Sequence, residues 1–502
     1  MDRLTKSFPV FDCDAHINDP EQIWDYVPES KKDLVRNTYW RNDREAWLNG
    51  DTPVGGGGNE QFAGMMGYNP ICIAGPQMNK KIMRRLNTMN AIEPLTAEQR
   101  AYLHHDGALD GTARLKEMDL MGIDQVLVIP TMVIMHLPFA RSEEGVDVFC
   151  QAYNNFLVDW CAAAPERLYG AALLPVQDPV RTAKEVFRAK DLGHPVGLIR
   201  PIDAQAKYPN ELRSSMLAGG GDYDEVFRAF EESGMVLGMH TFPAPGVPHP
   251  LGEDYLCSPG ELFTRAGTDS QTFSFIHEMQ AWLAQVLLSG FLDRYDRLKM
   301  AIFESNAEWL PYALDTIDRT FKLYASERGS KPGDRLPSEA FAEQCVISFE
   351  SDENGVFRQW DRFENIGIWA SDAYHHDGAD SWSGMRNMDR ARVPQPVKEN
   401  LLGGNATRFY GIEPKMFVTD EAAPIDRPDW FPQGPDLAEF AELVAHPREN
   451  MAELEARGID PNSQFQARAA RMAALRTSGN GFPHGTQPAG SAERVATGGQ
   501  GY

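Results

Sequence analysis

The chain has 502 residues, 42% of them hydrophobic, and a formal net charge of −24. That is enough apolar material for one large domain or two to three ordinary ones. The acidic balance leaves no basic footprint for nucleic acid or an anionic membrane surface, and no stretch approaches the roughly 18–20 apolar residues of a spanning helix.

The N-terminus, Met1-Asp2-Arg3-Leu4-Thr5-Lys6, lacks the apolar core of a secretion signal. The six cysteines (Cys13, Cys72, Cys150, Cys161, Cys257 and Cys345) are scattered, with no CxxC pair. They read as reduced thiols, and the chain as cytoplasmic.

The first predicted strand, Phe8 to His16, opens apolar and then places Asp12, Asp14 and His16 at alternate positions. Residues two apart on a strand share a face. A carboxylate and an imidazole together at a strand end suit a divalent cation such as zinc, manganese or iron. The plainer reading is an edge strand with solvated polar residues.

A polar segment follows, then a long insertion at about 45–105 containing Gly55-Gly56-Gly57-Gly58. The glycine run lacks the Lys-Ser/Thr ending of a phosphate-binding loop and reads as a surface insertion. Lys80 to Met89 reads as a short basic helix, and His104 and His105 as exposed residues of the insertion.

From Thr112 onward helices and short apolar runs alternate. A helix over Ala113–Met121, closed by Gly122, leads to a strand at Gln125–Pro130. Further strands are predicted at Leu168–Pro175, Val196–Pro201, Met235–His240, Lys299–Glu304, Cys345–Glu350 and Ile366–Asp372. Helices fall between them at Glu144–Ala164, Pro179–Leu192, Asp224–Ser233, Glu278–Leu288 and Trp309–Tyr324. About eight strands of the buried parallel type, each followed by a helix, fit a (β/α)8 TIM-type barrel. An open doubly wound sheet is less suited, because no GxGxxG follows the first strand. The barrel is expected to occupy residues 1–412, a helical extension 413–476, and a disordered tail 477–502.

Polar residues stand at the C-terminal ends of these strands: Asp14 and His16, then His240, Glu304 and Asp372, with His375 and His376 just beyond. A barrel of this type gathers those ends into one mouth, where active sites form. Arg200 ends another strand and suits a substrate carboxylate or a structural ion pair. His277 opens a helix and either lines the mouth or caps the helix. Asp12, deeper in the first strand, is expected to support the ligands from behind. Trp309 and Trp382 read as core residues that could also shape an aromatic pocket.

The order Asp-x-His, His, Glu, Asp resembles the amidohydrolase superfamily. The nearer likeness is to the amidohydrolase-related branch that includes aminocarboxymuconate-semialdehyde decarboxylase and γ-resorcylate decarboxylase. RLKEMDLMGID at Arg114–Asp124, LKMAIFESNAEWLPY at Leu298–Tyr312, WASDAYHHDG at Trp369–Gly378 and LLGGNATRF at Leu401–Phe409 carry the resemblance, as do Ala152–Asn155 with Pro165–Leu168. It implies that Asp14, His16, His240 and Asp372 are metal ligands. Asp372 or Glu304 would be the acid or base, with Glu304 otherwise a further metal ligand, and His375 would contact substrate; Arg200 and His277 are substrate-contact candidates by their own positions. Asp14 stands where many relatives have the first His of His-x-His, and Glu304 where decarboxylases often have a second catalytic His. A carboxylate-rich site shifts the metal preference toward manganese, iron or magnesium.

The resemblance implies a metal-dependent enzyme, with hydrolysis of an amide, lactone or similar carbonyl bond as the first expectation. Non-oxidative decarboxylation of an aromatic or unsaturated acid is the alternative, and a non-catalytic metal-free barrel the rival from another class. The expected partner is a small-molecule substrate, with no nucleic acid or membrane, in a homo-oligomer, as many relatives are dimers.

Overall fold

Short runs of alternating branched and small apolar residues give eight parallel strands in this computed structural model. It describes residues 3–36, 75–80, 82–83, 86, 95–131, 133–134, 137, 142–199, 223–241, 275–325, 334–375 and 378–432. The strands are β1 (Phe11–Ile17), β2 (Gln125–Pro130), β3 (Leu168–Leu173) and β4 (Val196–Ile199), then β5 (Val236–His240), β6 (Met300–Phe303), β7 (Cys345–Glu350) and β8 (Gly367–Ala370). They pair in sequence order in one eight-stranded sheet. Almost every strand residue is buried, as expected of strands that face a filled interior on one side and helices on the other. The architecture is the expected (β/α)8 barrel.

The seam between the last strand and the first is bridged just past the end of β8. Asp372 N–H donates to Asp14 O at 3.0 Å, and His16 N–H donates to Ala373 O. Barrel closure itself therefore brings Asp14, His16 and Asp372 side by side.

Helices α1 (Ala97–Tyr102), α2 (Gly111–Met121), α3 (Glu143–Cys161), α4 (Pro179–Asp191), α5 (Asp224–Ser233) and α6 (Phe275–Leu288) lie between the earlier strands. Helices α7 (Leu310–Leu323), α8 (Pro337–Gln344), α9 (Ser381–Arg390) and α10 (Asn405–Tyr410) follow β6 and the later strands. Their ends follow local chemistry. Asp110 caps α2 by accepting from Ala113 N–H at 2.7 Å. Gly122 ends it with φ +74°, where a side chain would also strike Ser381 and Trp382. No helix among the described residues is long and apolar enough to cross a membrane.

Chain contacts divide into one unit of residues 1–84 and 96–428 and another of residues 85–95 and 429–502. In the first unit, the segment after α10 returns along the N-terminal face of the barrel. Thr5 bridges Asp420, and Lys6 N–H donates to Thr419 O at 2.8 Å. The glycine run at 55–58, the helices expected within 436–476 and the tail 477–502 lie outside the described residues. Of the basic helix expected over 80–89, residues 80, 82, 83 and 86 are described and helical.

Residues 107 and 108, just before α2, are tied to the C-terminal end of β1 and to α2. Asn18 N–H donates to Ala108 O at 2.8 Å, and Arg114 Nε donates to Gly107 O at 2.6 Å. His104 and His105 are not exposed as expected: their side chains are 28% and 17% accessible. His105 packs against Gly75, whose missing side chain makes room for the ring, and near the Tyr374 ring.

Candidate metal centre at the barrel mouth

Four strands deliver the cluster. Asp14 and His16 project from β1, and His240 ends β5. Glu304 follows β6, and Asp372 lies two residues past β8. His16 Nε2 is 3.4 Å from Asp14 Oδ1 and 3.4 Å from Asp372 Oδ1. His240 Nε2 is 3.6 Å from Asp14 Oδ2 and 3.3 Å from Glu304 Oε2. His375 Nδ1 approaches Asp372 Oδ1 to 2.8 Å and Glu304 Oε1 to 4.0 Å, and its ring stacks on His16 at 3.8 Å. Two trios, Asp14–His16–His240 and His16–Asp372–His375, have donor atoms within 4.8 Å of one another.

Two of these carboxylates sit on strained backbone. Glu304 and Asp372 both have φ +49°, a left-handed conformation uncommon for residues other than glycine. Their neighbours hold them there. Glu304 N–H donates to Ser348 Oγ at 3.1 Å, and Thr241 Oγ1 donates to Glu304 O at 2.6 Å. Asp12 supports the seam from behind, accepting from Ser371 N–H at 2.9 Å, Ser371 Oγ–H at 2.5 Å and Asp14 N–H at 3.3 Å. This matches its expected supporting place. Arg114, fully buried, donates from Nη2 to His16 O.

The electrostatics suit a cation. Asp14, His16, His240 and Asp372 are all buried. Burial and the adjoining His375 lower His16 to about 4. Burial, with His16 next to it, takes His240 well below its usual range. Both rings are thus neutral near pH 7 and present lone pairs. Burial and the carboxylates of Asp372, Asp12 and Glu350 raise Asp14. Burial would also raise Asp372, but the His375 and His16 imidazoles outweigh it and hold that carboxyl below its usual range. Asp14 Oδ1 and Asp372 Oδ2 are buried without a hydrogen bond. Buried polar atoms left this way are costly unless something completes them. Mixed imidazole and carboxylate donors fit manganese, iron or zinc.

His375, expected near the site, lies in it. His277 lies in the first turn of α6, outside both trios. Arg200 and His376 lie outside the described residues. Trp309 and Trp382 act as packing residues: Trp382 Nε1 donates to Leu120 O at 3.1 Å, and Trp309 Nε1 to Ser305 O at 2.9 Å. Sequence reasoning passed over Glu350, although it ends β7 as the other acids end or follow theirs. It read Lys80 only as the start of a basic helix, not as a partner of Glu350.

Comparison with known proteins gives the family and the fold. The amidohydrolase family model matches residues 104–412. γ-Resorcylate decarboxylase from a Rhizobium species is 25% identical over 207 residues, 41% of this chain and 58% of that protein. The same-named enzyme of Rhodococcus jostii is 25% identical over 242 residues, 47% of this chain and 67% of that protein. The chain thus spans 58% of the length of the Rhizobium relative. Among solved structures, 5-carboxyvanillate decarboxylase from Sphingomonas paucimobilis has a TM-score of 0.53 at 18% identity, covering 81% of this chain and 100% of that one. The manganese-bound 5-carboxyvanillate decarboxylase of Novosphingobium aromaticivorans has a TM-score of 0.55 at 18% identity, covering 81% of this chain and 97% of that one. At these identities the structures speak for the barrel. The family match extends over more than half of the sequence and takes in three of the four strand ends that deliver the cluster, those of His240, Glu304 and Asp372, and the chain belongs to the amidohydrolase family.

Proposed function

We propose that this chain is a divalent-metal-dependent decarboxylase of an aromatic carboxylic acid. The observation that carries the proposal is the buried cluster of Asp14, His16, His240 and Asp372, which gathers imidazole and carboxylate donors at one mouth. The curated relatives are named for decarboxylation of γ-resorcylate, and a structural relative, 5-carboxyvanillate decarboxylase, holds manganese. These names support the alternative reading of the sequence over hydrolysis, its first expectation.

Asp14, His16, His240 and Asp372 would hold the ion. When bound, it supplies a Lewis acid for the substrate's carboxylate and a neighbouring oxygen. The protein's own groups divide the remaining work by their surroundings. The imidazoles beside Asp372 keep it ionised, which suits a ligand and not a proton donor. Glu304, clamped between β5 and β7, is then the acid. As the bond to the carboxylate breaks, its electron pair stays on the ring carbon and takes the proton from Glu304, and carbon dioxide leaves. His375, 4.0 Å from Glu304, returns a proton from solvent. One proton is consumed for each carbon dioxide released.

Incubation in D2O with γ-resorcylate, 5-carboxyvanillate and a set of hydroxybenzoates tests this reading. The expected result is carbon dioxide and a product with one deuterium at the vacated ring carbon. No carbon dioxide from any acid, with solvent ¹⁸O entering the product of a lactone or amide, would overturn it in favour of hydrolysis.

A further inference from the structure

The insertion carries a lysine to the rim of the barrel mouth. Lys80 Nζ lies 2.5 Å from Glu350 Oε2 and 3.0 Å from Asp352 Oδ1. Glu350 is the last residue of β7, between the strands that end at Glu304 and Asp372. It sits beside the cluster in the strand register: Glu350 pairs with Ala370, two residues before Asp372, and Ser348, two residues before Glu350, accepts from Glu304 N–H. The Lys80 side chain is 33% accessible, so it stands at the boundary between site and solvent. Burial works against its charge, but Glu350 and Asp352 outweigh that and hold it protonated. Lys80 also lies outside the stretch matched by the family, which begins at residue 104.

The mouth is acidic. Asp14, Glu304 and Asp372 line it, and Glu350 and Asp352 add two carboxylates at one edge. A divalent ion offsets part of that charge. An aromatic carboxylate must still approach a rim of its own sign. We infer that Lys80 is a specificity residue for anionic substrates, offsetting one of the two carboxylates at the β7 edge. This rests on the decarboxylase reading, which supplies the anionic substrate. A competing structural role exists, because the same ion pair fastens the insertion to the barrel. The two roles differ in sign. If charge is what matters, removing Lys80 and removing the Glu350 charge act in opposite directions on an anionic ligand. If fastening is what matters, both loosen the insertion and act in the same direction.

The experiment measures binding of γ-resorcylate, and of neutral resorcinol as the uncharged control, to metal-replete full-length protein. It compares the wild type with Lys80→Met and Glu350→Gln. One unit of charge at the rim of a partly solvated site is expected to change anion affinity about 3- to 10-fold. Lys80→Met should raise the Kd for γ-resorcylate by that factor, and Glu350→Gln should lower it. Resorcinol should move less than about 2-fold, and the differences should shrink in high salt. Weakening by both variants, or an equal loss for resorcinol, overturns the inference in favour of a fastening role. Failure of the decarboxylase reading is separate, since it appears in the wild type as neither binding nor carbon dioxide release.

Discussion

The two ends of the barrel bury the same residue types and treat them in opposite ways. At the N-terminal face Asp124 is fully buried, and its carboxylate is saturated. It accepts from Val10 N–H at 2.7 Å, Phe417 N–H at 2.6 Å and Val418 N–H at 2.9 Å, and it pairs with the buried Lys6 ammonium. Arg167 fastens the same corner, donating to Asp124 O and Ile123 O at 2.9 Å each. At the C-terminal mouth Asp14 and Asp372 are as deeply buried, yet carry oxygens with no hydrogen bond and stand among other acids. A buried charge with every lone pair occupied holds a fold together. A buried charge left incomplete costs stability and marks where a ligand or a reaction belongs.

The strongest way to break this contrast is Asp124→Ala. It strands the Lys6 ammonium in an apolar setting and removes three acceptor contacts, for an expected loss on the order of 3–5 kcal/mol. Urea unfolding checks it, and metal content per folded molecule should stay unchanged. Asp14→Ala should do the reverse. Without metal, the variant should be as stable as the wild type or about 1 kcal/mol more stable, because a like-charged, incomplete carboxylate is gone. Elemental analysis should show the metal lost, and turnover should fall by at least about 100-fold. If Asp14→Ala destabilised the metal-free protein as much as Asp124→Ala, the two ends would not differ in kind.

The contrast also explains what the sequence disclosed. The fold was legible because β1 to β8 are short apolar runs at regular spacing, and β2 and β7 coincide with their predicted limits. Asp14, His16, His240 and Asp372 were legible because barrel topology turns strand ends hundreds of residues apart into neighbours. Lys80 was not, because its ion pairs with Glu350 and Asp352 join residues about 270 positions apart, which no local pattern encodes. The clamps on Glu304 were equally hidden: Ser348 on β7 and Thr241 just past β5 are ordinary polar residues until the register places them beside β6. The half-burial of His105 depends on the small size of Gly75, a tertiary contact that no local pattern encodes.

Glu353 is an intermediate case and sharpens the comparison. It stands behind the mouth, accepting from Ala307 N–H at 2.7 Å and Glu350 N–H at 2.9 Å. Burial nevertheless raises it from 4.5 to about 7, against the pull of those two bonds. Its folded value lies above its unfolded one, so the protonated form favours the folded state. That contribution is complete below about pH 4.5 and is lost as pH rises toward 7. About 1.36 kcal/mol per pH unit gives on the order of 3 kcal/mol across the window. Glu353→Gln should flatten this part of the profile, read from urea midpoints at pH 5 and pH 8. An unchanged slope would mean that neutral backbone donors alone satisfy a buried acid as fully as Lys6 and its neighbours satisfy Asp124.

The smallest expected effect tests how the mouth holds its geometry. Ser371 ties Asp12 to the residue before Asp372 through both its backbone and its hydroxyl. Its Oγ also accepts from Ala373 N–H at 3.0 Å. Ser371→Ala removes the hydroxyl contacts and leaves the Asp372 N–H to Asp14 O bond that bridges the seam. The stability loss should be about 1 kcal/mol, as for one buried hydroxyl. Metal affinity should fall further in proportion, by about 10-fold, because the hydroxyl helps hold Asp372 in its left-handed backbone conformation. Competition with a chelator reads the affinity, and urea unfolding of the metal-free protein reads the stability. A loss of stability without a loss of affinity would mean that the backbone bridge across the seam positions Asp372 by itself. Asp12 would then belong with Asp124, as an acid that serves the fold.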